Sequence, residues 1–455
     1  MVNDMTVGRP VKVITAFAVP MFIGSVFQQV YNMVDSIVVG NYVGADALAA
    51  VGACSGAFNL LIALITGLTG GMSVVIAQYF GAKDYKMVKK TFLSAAIVIL
   101  AAGLLITGAG ILLARPLLTV LDTPENIMED AMVYLVIMVC GTLANCLYNG
   151  MSALLRAMGD SVIPLVILII ASFLNVVLDL LFVVGFGMGV GGAAGATVLS
   201  QFLSAGASIL YVFYKMPMLK FSWKEFRPEK ALVKEIIRIG FPAALSSCGV
   251  SISVMFMQRA INAYGSTVVA GYTIGTRAEN IGFCLSYSIG LAVGTFCSQN
   301  IGAGKEDRVK KGMHTGYFIA IGYTVVVGII FLLFTKNLAG IFTSDQAAID
   351  VAISYIYVES FFAPVLGLVF VFQNFLRSAG DVAPTVWMSI MEIAARSVLA
   401  FCFSWAFGYT GIWWATPVGW TASLLLGIYR YRSGKWKKRM IVRVNEGEKK
   451  FMGVD

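Results

Sequence analysis

The stretch QYFGAKDYKMVKK at 78–90 returns 221 residues later as QNIGAGKEDRVKK at 299–311. The same spacing separates RAMGD at 156–160 from RSAGD at 377–381. An ordered series of matches at one spacing indicates that the chain is an internal duplication. Single positions that follow this offset to within two residues include Gly44 with Gly265, Tyr134 with Tyr355, and Pro20 with Pro242.

Composition indicates which solvent the duplicated chain is built for. Of its 455 residues, 58% are hydrophobic and 13% are charged, whereas about 25% of the residues of a soluble domain are charged. A helix needs roughly 20 apolar residues to cross a bilayer core, where no water satisfies the backbone. The sequence therefore predicts an all-α integral membrane protein with twelve spans, at 12–39, 47–78, 91–114, 129–155, 162–185, 192–214, 236–263, 267–299, 312–335, 349–376, 383–407 and 411–431.

Each copy of the repeat holds six of these spans. Because six is an even number, both copies enter the membrane in the same direction, and the repeat is parallel with its axis along the membrane normal. That geometry predicts two six-helix lobes with a cleft between them, as alternating access requires. We expect an N-terminal lobe at 1–218, a cytoplasmic linker at 219–235, a C-terminal lobe at 236–440 and a basic cytoplasmic tail at 441–455.

Basic residues fall in every second loop, which predicts the orientation of the chain. They lie at 9–12, 83–90, 156, 215–238, 305–311, 377 and 430–450, whereas the intervening loops carry only Arg115 and Lys336 beside several acids. Short loops rich in Lys and Arg stay on the cytoplasmic side, so we expect a multi-pass protein of the cell membrane with both termini in the cytoplasm. The net charge of +9 then indicates contact with anionic lipid and not a nucleic acid partner.

The sequence contains no motif that is typical of a cofactor site, a metal site or a catalytic nucleophile. Its seven cysteines lie in apolar stretches without a CxxC pair, and its one histidine, His314, follows a basic loop. No metal-ligand spacing and no nucleophile motif such as GxSxG occurs. We therefore expect no cofactor and no enzymatic activity, and a membrane enzyme stays open only as a distant alternative.

Ionisable residues inside the predicted spans are the main candidates for function, since each costs about 3 kcal/mol to insert. Gln28, Asn32 and Asp35 are spaced i, i+4 and i+7, so they share one face of the first helix. Asn175 and Asp179 are spaced i, i+4 on the fifth helix. The expected cluster of the N-terminal lobe consists of Asp35, Tyr134, Asn175, Asp179 and Thr197.

Two carboxyl groups dominate this cluster, and the interior of the surrounding spans offers no Lys, Arg or His to neutralise them. A buried carboxyl without a cationic partner favours its neutral form, so it can take up a proton, or chelate Na⁺ when ionised. We therefore expect Asp35 and Asp179 to hold the coupling ion, either H⁺ or a transient Na⁺. The alternative is two separate structural acids, each held by hydrogen bonds.

The acids of the C-terminal lobe have basic residues nearby in sequence. Glu392 and Arg396 are spaced i, i+4, which favours a structural ion pair. Glu279 lies two residues from Arg277, on a different helical face, and Arg259 is the candidate for its partner. These five residues are secondary candidates for coupling, and Glu359 is a further acid within a predicted span.

Pro20 lies inside the first helix, where it removes a backbone hydrogen bond and favours a kink. Pro242 occupies the equivalent place in the seventh helix. The bend at Pro20 is either static or a hinge that moves with the charge state of Asp35. Substrate is expected to contact an adaptable cleft, for which the candidates are Gln28, Asn32, Met33, Asn149, Met151 and Met257.

Several blocks of sequence match the motifs of a known transporter family. They are VYNMVDSIVVGNYVGADALAAVG at 30–52, IAQYFGAKD at 76–84, CSQNIGAGK at 297–305, ALLRAMGDSVIP at 153–164, NFLRSAGDVAP at 374–384 and NVVLDLLFVVG at 175–185. Because of the order and the repeat spacing of these blocks, the chain resembles the multidrug and toxic compound extrusion (MATE) family over almost its whole length. The resemblance implies a V-shaped, two-lobe exporter of cationic or amphipathic compounds, driven by inward H⁺ or Na⁺.

Two branches of that family bear on the site. In proton-coupled, DinF-like exporters the positions that match the N-terminal cluster form a network, and every element of it is present here. Another branch uses an acid in helix seven, where this chain reads SSCGVSISVMFMQR at 246–259 without a carboxylate. The resemblance implies a secondary active antiporter for small molecules in the bilayer, and we expect a monomer. A flippase for lipid-linked saccharides, from the same superfamily, is the alternative, but it would need a cationic cleft.

Overall fold

Helices make up all the regular structure at residues 4–120, 123–220 and 227–442, which are the residues that the structure, a computed structural model, describes. The all-α prediction is confirmed. The helices of the first repeat are α1 (Pro10–Tyr42), α2 (Ala45–Gly81), α3 (Tyr85–Val120), α4 (Glu125–Cys140), α5 (Thr142–Ala157), α6 (Val162–Asp179) and α7 (Gly189–Lys215). Those of the second repeat are α8 (Lys230–Asn262), α9 (Ser266–Gly302), α10 (Glu306–Gly340), α11 (Gln346–Ser378), α12 (Val382–Ala394), α13 (Ala400–Phe407) and α14 (Tyr409–Arg432).

Each of the twelve predicted spans corresponds to one helix or to two helices in series. Within the described ranges, ten spans are long and apolar enough to cross a membrane, and α4 with α5 makes an eleventh if this pair, bent by 43°, is one span. The remaining predicted span is α14, whose 24 residues extend about 36 Å at 1.5 Å per residue. The chain is a multi-pass membrane protein.

Local irregularities interrupt the α-helical geometry of several spans. Gly141 separates α4 from α5, and a Cβ atom at this position would lie 2.4 Å from Cγ2 of Val198 in α7. Only glycine therefore allows α7 to pack this closely. Two π-helical turns, Leu180–Gly185 and Ala395–Leu399, follow α6 and α12. Because a π turn is wider than an α turn, it rotates the residues after it relative to the preceding helix, and such turns are frequent at functional sites.

The described chain forms two compact units. The first consists of 23–80 and 84–244, and the second of 4–22, 81–83 and 245–442. The start of α1 thus belongs to the second unit, and the start of α8 belongs to the first. The lobes 1–218 and 236–440 stay a prediction. Most of the predicted tail, and residues 221–226 of the predicted linker, lie outside the described residues.

In the first unit, α2 and α8 approach each other through glycines. A Cβ atom at Gly67 would lie 2.4 Å from Cα of Ala244, and one at Gly71 would lie 2.6 Å from the backbone nitrogen of Gly240. Close contact between membrane helices favours residues without side chains, because the backbones can then touch. The glycines of α2 therefore determine how the first turns of α8 pack in this unit.

In the second unit, the repeated motif at 299–308 holds the N-terminal segment. The backbone N–H of Met5 donates to Oε1 of Gln299 at 2.9 Å, and Nδ2 of Asn300 donates to the carbonyl of Met5 at 3.2 Å. Arg308 Nη2 donates to the carbonyl of Val7 at 2.7 Å. The residues that reveal the duplication thus also have a structural role, because they satisfy backbone groups of the turn before α1.

Candidate functional site

The predicted polar residues of the first repeat lie in the first unit. We call Asp35, Tyr134, Asn175, Asp179 and Thr197 the first-unit cluster; they come from α1, α4, α6 and α7. Asp179 is 0% exposed, Asn175 and Tyr134 are also buried, and Asp35 and Thr197 are half-buried. Tyr134, Asn175 and Asp179 thus belong to the interior of the unit.

The cluster has more acceptors than donors. Asn175 Nδ2 donates to Oγ1 of Thr197 at 3.4 Å. Both carboxyl oxygens of Asp179, Oδ1 of Asp35 and Oδ1 of Asn175 are buried without a hydrogen-bond partner among the described residues. A buried acceptor left without a partner costs about 1–3 kcal/mol, and more if it is charged. The three carboxyl oxygens are therefore suited to accept a proton, and all four oxygens are suited to coordinate a small cation.

The two carboxyls also act on each other. The Asp35 carboxyl interacts electrostatically with that of Asp179. None of the ion pairs in the described part of the chain neutralises either group. Like charges in a medium of low dielectric repel strongly. The pair therefore favours states in which at least one carboxyl is neutral or bound to a cation.

Asp179 lies where the chain changes from an α-helix to a π turn. It is the last residue of α6, and the π turn Leu180–Gly185 follows directly. Tyr31 lies one helical turn before Asp35 in α1 and within electrostatic range of both carboxyls. Tyr31 was not among the predicted site residues, although its i, i+4 spacing to Asp35 was available as a signal.

The second unit contains its own polar cluster. The hydroxyl of Tyr355 in α11 donates to Oε2 of Glu279 in α9. One turn after Tyr355, Glu359 is 1% exposed, and neither of its carboxyl oxygens has a hydrogen-bond partner among the residues described. The charge of Arg396 acts on Glu279, Glu359 and Glu392. We call Glu279, Tyr355, Glu359 and Arg396 the second-unit cluster.

The predicted ion pair between Glu392 and Arg396 does not form. Oε1 of Glu392 instead accepts from Nε2 of Gln373 and from Oγ of Ser423, each at 3.1 Å. No ion pair within 4.0 Å joins Glu392 to Arg396 in the described ranges. The reason is the π turn Ala395–Leu399, because the i, i+4 rule holds for an α-helix and Arg396 lies inside the wider turn.

The partner predicted for Glu279 was also wrong. Arg259 and Arg277 are both exposed, and the side chain that bonds Glu279 is Tyr355. This hydrogen bond joins residues 76 positions apart, so helical spacing could not reveal it. The 221-residue repeat offered an indirect signal, because it pairs Tyr355 with Tyr134 of the first-unit cluster.

The candidate substrate contacts have mixed surroundings. Gln28, Asn32 and Met33 on α1 are exposed, and Asn149 is half-buried with Nδ2 bonded to Oδ1 of Asn145 at 2.8 Å. Met151 and Met257 are buried in separate units, which corrects the expectation that they line an open cleft. The cause is packing, as Met257 lies in the hydrophobic core of the second unit and its sulfur accepts from Oγ1 of Thr416 at 3.7 Å.

Both candidate hinge prolines lie inside unbroken helices. Pro20 is in α1 and Pro242 in α8. The chain passes from one unit to the other after Phe22 and again after Ala244, two residues beyond each proline. The missing backbone hydrogen bond thus falls beside the change of unit in both helices.

Known proteins are similar to this chain over nearly its whole length. The Bacillus subtilis (strain 168) protein named "Probable multidrug resistance protein YpnP" is 31% identical over 443 residues, 95% of this chain and 97% of that protein. "Probable multidrug resistance protein NorM" of Thermotoga maritima is 29% identical over 450 residues, 95% of this chain and 94% of that protein. A solved structure described as the outward-facing conformation of a multidrug resistance MATE family transporter of the MOP superfamily has a TM-score of 0.88 at 26% identity, and the match covers 95% of this chain and 98% of that one.

The family model described as MatE matches the chain twice, at residues 20–181 and 242–402. One match lies in each copy of the repeat, and the two begin at Pro20 and Pro242. Together they cover more than half of the chain. The two relatives are named as multidrug resistance proteins and the solved structure as a transporter, and none of the three is named as an enzyme. The chain therefore belongs to the MatE family, the multidrug and toxic compound extrusion proteins whose motifs it carries.

Proposed function

We propose that this protein is a secondary active antiporter that exports cationic or amphipathic small organic compounds across the cell membrane in exchange for H⁺ or Na⁺. The names of its relatives, multidrug resistance proteins, support the class of substrate. The observation that carries the coupling proposal is the pair Asp35 and Asp179, whose buried oxygens lack donors within the described structure.

The coupling follows from the cost of charge in a dry interior. When both carboxyls are ionised, their repulsion and the loss of hydration destabilise the closed cluster. A proton or Na⁺ removes one charge and satisfies free acceptors. Because Asp35 is on α1, the ion shifts the population of α1 conformers by its differential affinity for them. Pro20, on the same helix, is the residue at which we propose that α1 bends.

In this proposal the protein works as a monomer with both termini in the cytoplasm, as the basic loops favour. Substrate leaves toward the outside as α1 moves, and the ion is released toward the cytoplasm. The second-unit cluster differs from the first because Arg396 supplies a positive charge to its carboxyls. We therefore assign coupling to the first-unit cluster.

The test is efflux of a fluorescent cationic dye from proteoliposomes, with the pH gradient and the Na⁺ gradient imposed separately. Asp35→Asn and Asp179→Asn imitate a neutral acid that cannot titrate, so each should abolish ion-driven efflux while membrane insertion stays normal. Asp46→Asn is the matched control, since Asp46 is an exposed acid in the first turn of α2, and it should pump at the wild-type rate.

The gradient that drives wild-type efflux identifies the ion. Efflux by Asp35→Asn at the wild-type rate, at matched protein density, would contradict the coupling site. Loss of efflux in the Asp46→Asn control as well would show that neutralising any acid of this repeat impairs the protein, and the assignment to the pair would then fail.

A further inference from the structure

A groove opens in the second unit between the first turn of α1 and the start of α10. It has a volume of about 900 Å³. One wall is Pro10 and Val11, and the other carries Lys310, Lys311 and His314, followed one turn later by apolar residues that include Phe318. We call it the α1/α10 groove.

The groove combines positive charge with exposed apolar surface. Lys310 pairs with Asp307, Nζ to Oδ1 at 3.1 Å, whereas exposed Lys311 forms none of the ion pairs found among the described residues. Beyond them Phe318 is 75% exposed. A phosphate group next to an alkyl chain matches this order of charge and apolar surface.

The position of the groove along α10 fits the edge of a bilayer. After Lys311, the next acidic or basic residue other than His314 is Lys336. The 24 residues between them span about 36 Å at 1.5 Å per residue, enough to cross the hydrocarbon core. The groove therefore lies where α10 passes from charged to apolar residues, which is the level of lipid headgroups.

The first unit contains a counterpart of this groove. It lies between α3 and the start of α8, with a volume of about 420 Å³, and its lining includes Ile97, Lys230, Val233 and Lys234. Val233 follows Val11 by 222 residues, and Phe318 follows Ile97 by 221. Equivalent elements of the two repeats thus form both grooves, which we call the α1/α10 and α3/α8 grooves, and basic residues line each of them.

We propose that each groove binds the headgroup of an anionic phospholipid of the surrounding membrane. In the α1/α10 groove, Lys311 and His314 contact the phosphate and Phe318 packs against an acyl chain. In the α3/α8 groove, Lys230 and Lys234, spaced i, i+4 on α8, take the phosphate, and Ile97 takes the chain. A free phosphate would leave the apolar wall of each groove exposed, so the proposal commits to a lipid.

The test is native mass spectrometry of the full-length protein in detergent, titrated with phosphatidylglycerol or with phosphatidylcholine. Wild-type protein should retain two phosphatidylglycerol molecules in preference to phosphatidylcholine. Lys311→Gln with His314→Gln should remove one, and Lys230→Gln with Lys234→Gln the other. Each lost lysine should weaken retention about fivefold, which corresponds to the roughly 1 kcal/mol that a basic residue contributes at an anionic surface.

Lys336→Gln is the matched control, because it removes one exposed charge at the far end of α10 and should leave both lipids bound. Equal retention of the two phospholipids, or loss of lipid in the control, would overturn the proposal. So would displacement of phosphatidylglycerol by an equal concentration of inorganic phosphate, since that would identify a simple anion site. The readout is lipid binding and not transport, so it is independent of the ion-coupling proposal.

Discussion

The contact between α2 and α8 gives the most direct quantitative prediction, through two adjacent glycines. A Cβ atom at Gly71 would lie 2.6 Å from the nitrogen of Gly240 and 2.6 Å from the carbonyl oxygen of Ile236. Ordinary contacts between such atoms are about 3.5–4.0 Å. Backbone atoms cannot rotate away, so Gly71→Ala must separate the two helices by about 1 Å. Gly70 has nothing within 4 Å of its Cβ position and is the matched control.

The expected magnitude combines two effects. Replacing glycine by alanine in a helix stabilises it by about 1 kcal/mol, and this gain is the same for both variants. Forcing an extra methyl group into a filled space costs about 1–3 kcal/mol. Gly70→Ala should therefore be up to about 1 kcal/mol more stable than wild type, and Gly71→Ala should be about 1–3 kcal/mol less stable than Gly70→Ala.

The measurement is the free energy of unfolding of both variants by denaturant titration in the same lipid bicelles, followed by tryptophan fluorescence. Ion-driven dye efflux at matched protein density then shows whether the loosened contact also slows transport. Equal unfolding free energies for the two alanine variants would refute the close approach of α2 and α8, because the helix-propensity effect cancels between them.

Three further predictions concern other residues. Tyr355→Phe removes the donor to the half-buried carboxyl of Glu279 and should lower the free energy of unfolding by about 1–3 kcal/mol; an unchanged unfolding midpoint would contradict the contact. Asp381→Asn breaks a two-pronged pair with Arg430, at 2.6 and 3.0 Å, and should cost about 3 kcal/mol, which is wrong if the variant unfolds like wild type. In a chain without its native cysteines, a single cysteine at Lys310 should be labelled only from the cytoplasm, and a single cysteine at Lys336 only from outside. The reverse pattern would overturn the proposed orientation.

The fold was predictable because its main determinant, the length of an apolar segment, can be counted in sequence. The all-α class and the multi-pass character needed no contact between distant residues. The composition of the two units was not predictable, because the division falls inside α1 and α8 and depends on contacts such as that of Gly67 with Ala244. No pattern of hydrophobicity marks such a position.

The candidate site was predictable where regular α-helix connects its members. Asn175 and Asp179 lie together as their spacing predicts, and Asp35 lies within electrostatic range of Asp179. The prediction failed at Arg396, where a π turn breaks the helical rule, and at Met257, whose burial depends on packing between helices. Periodicity gives the face of a helix, but it does not give the neighbour of that face.

The hydrogen bonds around the N-terminal segment have a consequence for the synthesis of the chain. Met5 is 1% exposed, and the side chains that bond its backbone belong to Gln299, Asn300 and Arg308. The ribosome adds about 5–20 residues per second, so roughly 15–60 seconds pass between the synthesis of Met5 and that of its partners. The start of α1 must remain undocked for that time, and the second unit is complete only when the beginning of the chain meets residues made much later.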